Sequence, residues 1–198
     1  AGRPNDEGDV IALIYGTGSV HRGRSTWGTL SNEPTMGADT LTAAFRAAVD
    51  DKDVRAILFR VDSPGGSYVA SDTIWREVAR ARRLGKPVVV SMGDVAGSGG
   101  YFVAMAADRI VAQPGTITGS IGVLAGKMVT TDLWTRLGVE WGTLGTGPNA
   151  DMFSTTQDFT EAQWGRLEEF LDRIYADFVD KAAESRSMPR DKMLDVAQ

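Results

Sequence analysis

The chain has 198 residues, 42% of them hydrophobic and 24% charged, with a formal net charge of −5, which is ordinary for a soluble domain with one good core and recommends no nucleic-acid partner. No apolar run approaches the roughly 20 residues of a membrane span, and the polar start from Ala1 to Asp9 is no signal peptide. The absence of cysteine excludes disulfides and thiolate metal sites.

Residues 1–9 read as a flexible lead-in and 10–198 as a single domain. Val10 to Tyr15 is a continuous apolar run, the pattern of a strand covered on both faces. Residues 16–36, glycine-rich and containing Pro34, read as a long loop. Asp39 is placed to cap a helix that runs to about residue 50. Val54 to Val61 is the next strand, stopped by Ser63-Pro64-Gly65-Gly66, and a helix follows to about Leu84 with Ala70, Ile74, Val78 and Ala81 on one face. Val88 to Met92 is a third buried strand. Ser98 to Ala107 reads as a short helix with almost no polar face, which must be buried nearly all round.

Asp108 to Ala112 suits a short strand, and Gly115 to Gly126 suits a strand or turn passing close to other backbone. A helix around Leu133 to Leu137 and a strand at Val139 to Leu144 follow, then an irregular loop to about residue 158. Trp164, Leu167, Leu171, Ile174 and Phe178 mark a long amphipathic helix, and Met188 to Ala197 starts another. Strands alternating with helices predict an α/β fold with a mostly parallel sheet, flanking helices and a carboxy-terminal helical segment. Ligands of such sheets sit beyond the carboxyl ends of the strands. Both Ser63-Pro64-Gly65-Gly66 and Gly97-Ser98-Gly99-Gly100 fall there.

Ser98 is the most informative residue. It follows an apolar strand and is flanked by small residues that let other groups approach its hydroxyl. Two strand-end glycine turns can present backbone amides to a developing oxyanion, worth roughly 3–4 kcal/mol per donor; they can equally be tight turns whose glycines meet only backbone demands. A serine nucleophile also needs a base. The Gly-x-Ser-x-Gly elbow of α/β-hydrolases fails here, because Ala96 holds the first position and no histidine follows the serine. The single histidine, His21, reads as a solvated loop residue. A lysine base must be neutral, and at its ordinary pKa only about 1 in 2,500 is neutral at pH 7. Lys52 and Lys86 precede strands at the far end of the sheet, and Lys181 and Lys192 lie on polar helical ground. That leaves Lys127 as the lysine able to reach the site, with a solvated turn lysine as the plainer reading. Gly16-Thr17-Gly18 and Gly122 to Lys127 fail the dinucleotide and phosphate-loop patterns, so no cofactor or metal is called for.

Three stretches carry a resemblance: Val61-Asp62-Ser63-Pro64-Gly65-Gly66-Ser67, Ser91-Met92-Gly93 through Gly97-Ser98-Gly99-Gly100-Tyr101, and Thr118-Gly119-Ser120-Ile121-Gly122-Val123. In this order and spacing the chain resembles the bacterial signal peptide peptidase A (protease IV) family, Ser–Lys peptidases with a Clp-protease/crotonase-like fold. The resemblance implies Ser98 as nucleophile, the N–H groups of Gly66 and Gly99 as oxyanion donors, and Ser120 as the serine that positions the catalytic lysine. In short family members that lysine lies in a segment that corresponds here to Gly145 through Asp151, and Ala150 occupies its place. Long members are tandem duplications whose amino-terminal half gives the lysine and whose carboxy-terminal half gives the serine. This chain resembles the carboxy-terminal half.

The resemblance further implies hydrophobic peptides such as cleaved signal peptides as substrates and the amino-terminal half as a partner. It also implies a homo-oligomer and a bacterial membrane location through a segment absent from this chain, with the domain on the extracytoplasmic side. Tyr68, Val69, Val123 and Leu124 are candidates to line the substrate pocket. Other readings stay open: a self-contained peptidase using Lys127, a catalytically inert structural or peptide-docking module, or an acyl-CoA enzyme of the crotonase type, for which no acidic catalytic groups can be placed.

Overall fold

The computed structural model describes residues 8–28 and 33–197; residues 1–7 of the expected lead-in and 29–32 of the expected loop lie outside the described residues. Two compact units are distinguished, Ala1–Gly122 with Phe178–Gln198, and Val123–Asp177.

In the first unit, β1 (Val10–Thr17), β4 (Val54–Ser63), β5 (Val88–Gly97) and β6 (Arg109–Val111) lie side by side in chain order, and β7 (Ile117–Gly119) also pairs with β5; every pairing is parallel. The helices α1 (Ala38–Asp50), α2 (Tyr68–Arg83) and α3 (Gly99–Ala104) link or follow these strands. Because the strand order never reverses, right-handed crossovers place these helices on one side of the sheet. Their apolar faces meet alternate residues of β4 and β5. Phe45 of α1 stands edge-on to Phe59 of β4 at 5.1 Å, and Ile74 and Val78 of α2 are fully buried.

Among the described residues, the other face of the sheet is exposed at β1 and partly buried at β4 and β5. Strand register aligns Leu13, Leu58, Val89 and Arg109 in one row, and on β1 Ile11 and Tyr15 are 62% and 63% exposed. The expectation that β1 is covered on both faces is therefore corrected. An apolar run reports that a strand can be buried, but a sheet wound in one direction supplies only one layer of helices.

Other local expectations shift as well. The span 16–36 holds two short parallel strands, β2 (Ser19–His21) and β3 (Thr35–Gly37). Gly37, not Asp39, is the N-cap of α1; its N–H donates to Ser25 Oγ at 3.0 Å, and a Cβ there would stand 2.2 Å from the Ser25 nitrogen. Asp39 sits in the first turn instead, where its charge suits the helix dipole. Ser67 caps α2 by accepting the Ala70 N–H, and the helix ends before Gly85, whose φ of 78° suits glycine.

The second unit contains α4 (Thr131–Arg136) and the first part of α5 (Glu161–Ser185). Trp134 packs edge-on against Trp141 at 5.9 Å, and buried Gln163 donates to Asp151 at 3.0 Å. The strand expected at Val139–Leu144 does not form. Its apolar residues Val139, Trp141 and Leu144 are exposed, and no neighbouring strand takes up their backbone groups, without which a strand has little stability.

Candidate active site

The site is built by an irregularity between β4 and β5. Their register runs from Ile57↔Val88 to Val61↔Met92, then jumps so that Ser63 faces Ala96. Asp62 alone thus opposes Gly93, Asp94 and Val95, a bulge that bends β5 and re-aims its end. The Asp62 carboxylate fills the gap by accepting the Val95 N–H at 3.2 Å. A Cβ on Gly93 would lie 2.5 Å from Asp62 Cγ, so glycine alone fits beneath that carboxylate. Thr116 Oγ1 donates to the Gly93 carbonyl at 2.8 Å and Thr118 Oγ1 to the Ala96 carbonyl at 2.9 Å. These bonds satisfy the backbone groups that the bulge leaves without ladder partners.

Beyond the bulge, β5 runs into α3 through Ser98, which has φ 50° and ψ −119°. This sparsely populated conformation costs about 1–3 kcal/mol and turns the chain sharply. Its shape is that of a nucleophile elbow, although the Gly-x-Ser-x-Gly pattern that signals one is absent. Sequence reasoning missed this geometry; its available signal was a serine followed by two glycines directly after a strand. The Ser98 N–H donates to the Gly119 carbonyl at 2.9 Å, and its carbonyl accepts the Phe102 N–H at 2.9 Å. The residue is half-buried. Its hydroxyl makes no hydrogen bond to a described residue.

The Ser63–Gly66 turn lies directly alongside. Ser63 is buried and its Oγ accepts the Gly65 N–H at 3.1 Å. Gly66 forms a parallel bridge with Val20 of β2, in which Val20 N–H donates to the Gly65 carbonyl and Ser67 N–H to the Val20 carbonyl, both at 2.8 Å. In such a bridge the N–H of Gly66 itself faces away from Val20. The Gly66 nitrogen lies close to the start of α3, 3.1 Å from where a Gly99 Cβ would stand. Gly65 has φ 107° and Gly66 φ 147°, and a Cβ on Gly65 would lie 2.8 Å from Ser98 Cβ. The structure thus brings together Ser98, Gly66 and Gly99. Neither glycine's N–H donates to a described residue, as expected for Gly99 at the first position of a helix.

Ser120 follows Gly119, the residue that holds the Ser98 N–H, and shares the positive φ of 50°. Its Cβ is 3.7 Å from the position a Gly97 Cβ would take. Lys127 belongs to the other unit, where its Nζ donates to the Met152 carbonyl at 3.0 Å and lies 4.3 Å from the centre of the Phe159 ring. Val123, Leu124 and Ala150 also belong to that unit. Tyr68 packs edge-on against Phe102, and Val69 is exposed.

Two expectations about basic residues are corrected. Lys181 does not lie on polar ground: its side chain is 14% exposed, pairs with Asp72 at 2.8 Å and stands 5.0 Å from the Trp75 ring centre. His21 is half-buried in β2, with Nε2 2.8 Å from Thr35 Oγ1 of β3 and Nδ1 2.7 Å from the carbonyl oxygen of the adjacent Arg22, so both nitrogens are occupied. Lys86 donates to the carbonyls of Asp51 and Val54, at the amino end of β4.

Among solved structures, the chain is similar to a point mutant of ClpP1 from Listeria monocytogenes, with a TM-score of 0.55 at 12% identity over 92% of this chain and 77% of that one. It is also similar to a point mutant of the 1510-N membrane-bound stomatin-specific protease, with a TM-score of 0.54 at 15% identity over 93% and 68%. At such identities the likeness speaks for the fold, which is of the Clp-protease/crotonase type.

Among curated proteins, it is 39% identical to the chloroplastic serine protease SPPA of Arabidopsis thaliana over 96% of this chain and 28% of that protein. It is 37% identical to Protease 4 of Salmonella typhi over 98% and 30%. The chain therefore spans under a third of the length of these relatives. The profile of Peptidase family S49 matches residues 80–198, more than half of the chain. The matching profile and these relatives show that the chain, a Clp-like fold with a serine at its sharpest strand-to-helix turn, belongs to peptidase family S49, with the SppA proteases.

Proposed function

We propose that this chain supplies the nucleophile and the oxyanion-binding amides of a Ser–Lys endopeptidase for cleaved signal peptides and other hydrophobic peptides, and that the lysine comes from a companion amino-terminal half. The observation that carries this reading is Ser98 in a strained turn beside the amides of Gly66 and Gly99, neither of which donates to a described residue. Ala150 at the place where a lysine stands in short family members supports an outside base.

In this mechanism the neutral lysine takes the proton of Ser98 Oγ as the Oγ–carbon bond forms at the substrate carbonyl. The carbonyl oxygen becomes an oxyanion held by the Gly66 and Gly99 N–H groups, each worth about 10²–10³ in rate. Collapse breaks the carbon–nitrogen bond, and the lysine ammonium gives its proton to the leaving amine. Water, deprotonated by the same lysine, then releases the acyl group and restores Ser98. The Ser120 hydroxyl accepts a hydrogen bond from the amine and fixes its approach. The working enzyme is a homo-oligomer held at the membrane by a segment outside this chain, with this domain on the extracytoplasmic side. Among the described residues, no helix is long and apolar enough to cross a membrane.

The test is peptide-ester hydrolysis by this chain alone and after recombination with the amino-terminal half. The expected result is no turnover alone, turnover after recombination, and a loss of at least about 10⁴-fold in Ser98→Ala. Turnover by the lone chain that disappears in Lys127→Ala would move the base into this chain. Unchanged turnover of Ser98→Ala in the recombined enzyme would make the domain an inert docking module.

A further inference from the structure

A cavity adjoins the Ser98 turn on its β7 side. It has a volume of about 400 Å³ and is bounded by Tyr101, Ser120, Ile121, Arg186, Met193 and Val196 among others. Local sequence explains how these groups meet. Tyr101 lies one turn into α3 from Ser98, and Ser120 follows the residue whose carbonyl holds the Ser98 N–H. At the other wall, α5 stops where Ser187 adopts φ 51°, and the Met188 N–H donates to the Ala183 carbonyl at 2.9 Å. This helix-ending turn brings Arg186 and Met188 to the rim and lets α6 (Arg190–Ala197) cross beneath, with Met193 buried as the floor.

The chemistry of the cavity is mixed in a particular way. Ile121 and Met193 are buried apolar surface, and Val196 is apolar but open. Among the described residues Arg186 is the one cation on the lining, no carboxylate lines the cavity beside it, and its guanidinium forms no ion pair. Burial pushes the Tyr101 phenol up, while Arg186 pulls the other way, so the two rim groups lie within electrostatic reach. A guanidinium above an apolar floor matches a carboxylate on an apolar chain, because its fixed fork of donors pairs with both oxygens at once.

We infer that this cavity binds the free carboxyl terminus of an apolar peptide, with the carboxylate on Arg186 and the last side chain against Ile121 and Met193. The inference rests on the peptidase reading in that it names which end of the substrate is held next to Ser98. The cavity thereby favours a cut fragment over the same apolar sequence inside an intact protein, since the internal sequence carries a neutral peptide group where the cut end carries a carboxylate.

The experiment is titration of the full chain carrying Ser98→Ala with a fluorescent apolar pentapeptide, Leu-Ala-Leu-Ala-Ala, as free acid and as carboxamide, read by anisotropy. The acid should bind roughly tenfold more tightly than the amide. Arg186→Gln should erase that difference, and Arg186→Lys should keep part of it. Val196→Glu, at an exposed position of the lining, should weaken the acid more than the amide. Equal affinity of acid and amide, or a difference that survives Arg186→Gln, would overturn the inference. So would laurate displacing the peptide at equal concentration, which would make the cavity a general fatty-carboxylate site. Binding is read without turnover, so the two readings fail separately. Acid-selective binding without hydrolysis by the recombined enzyme removes the peptidase reading, whereas hydrolysis without acid selectivity removes only this one.

Discussion

The glycines around Ser98 and those of Val123–Asp177 are the same residue put to opposite uses. At Gly66 an added Cβ would meet the Val20 carbonyl oxygen at 2.2 Å, and at Gly100 it would meet the Ser63 carbonyl oxygen at 2.5 Å. At Gly126, Gly142 and Gly147 it would meet nothing within 4 Å. In the first region glycine is required because three stretches of backbone, from β2, the β4 end and α3, converge on one point. At these three positions of the second it stands in open space, and no close approach requires it. What separates the two is long-range: the strand register that brings Val20 to Gly66 and Ser63 to Ala96.

The largest expected effect on this contrast comes from Gly66→Ala. With φ at 147° and a carbonyl in the way, the variant should lose about 1–3 kcal/mol in urea unfolding. In the recombined enzyme its displaced amide should cost roughly 10²–10³-fold in acyl transfer. A variant as stable and active as the parent would end the argument that backbone crowding builds the site.

Asp72→Asn tests the clamp that fastens the end of α5 to α2. Burial pushes the Asp72 carboxyl up, but its bonds to Lys181 and Arg76 outweigh this and hold it below the ordinary carboxylate value. A carboxyl depressed in the folded state gives stability that is complete above its unfolded pKa and is lost as pH falls through the folded one. The variant should therefore lose about 1–2 kcal/mol at neutral pH, and its stability should fall less steeply on acidification than the parent's. Urea midpoints at several pH values measure both. Gly142→Ala should do least, within about 0.5 kcal/mol of the parent; a larger loss would show that the second region is as tightly constrained as the first.

Much of this was legible in the residues, for identifiable reasons. The cores of β4 and β5 announce themselves as β-branched runs, and α2 as a strict apolar stripe. Ser98 stands out because small residues crowd around it. The open side of β1 was not legible, since an apolar strand looks the same whether its second covering layer exists or not. Nor was the Val139–Leu144 stretch, where β-branched and aromatic residues promise a strand but no partner edge is available. Lys181 was misread because its charge is matched by Asp72, 109 positions away in the chain. The elbow at Ser98 arises from a bulge that is a property of two strands together, so neither strand's sequence declares it.

One consequence follows from the size of β7. The amide of Ser98 is tethered by Gly119, in a three-residue strand at the margin of the sheet whose Ile117 is exposed. Such an element opens locally at a free energy well below that of global unfolding. The geometry of the Ser98 turn should thus follow the opening and closing of β7. Amide exchange at Ser98 should therefore run ahead of that in the central strands as the temperature rises, and anything that rests against that margin should slow it.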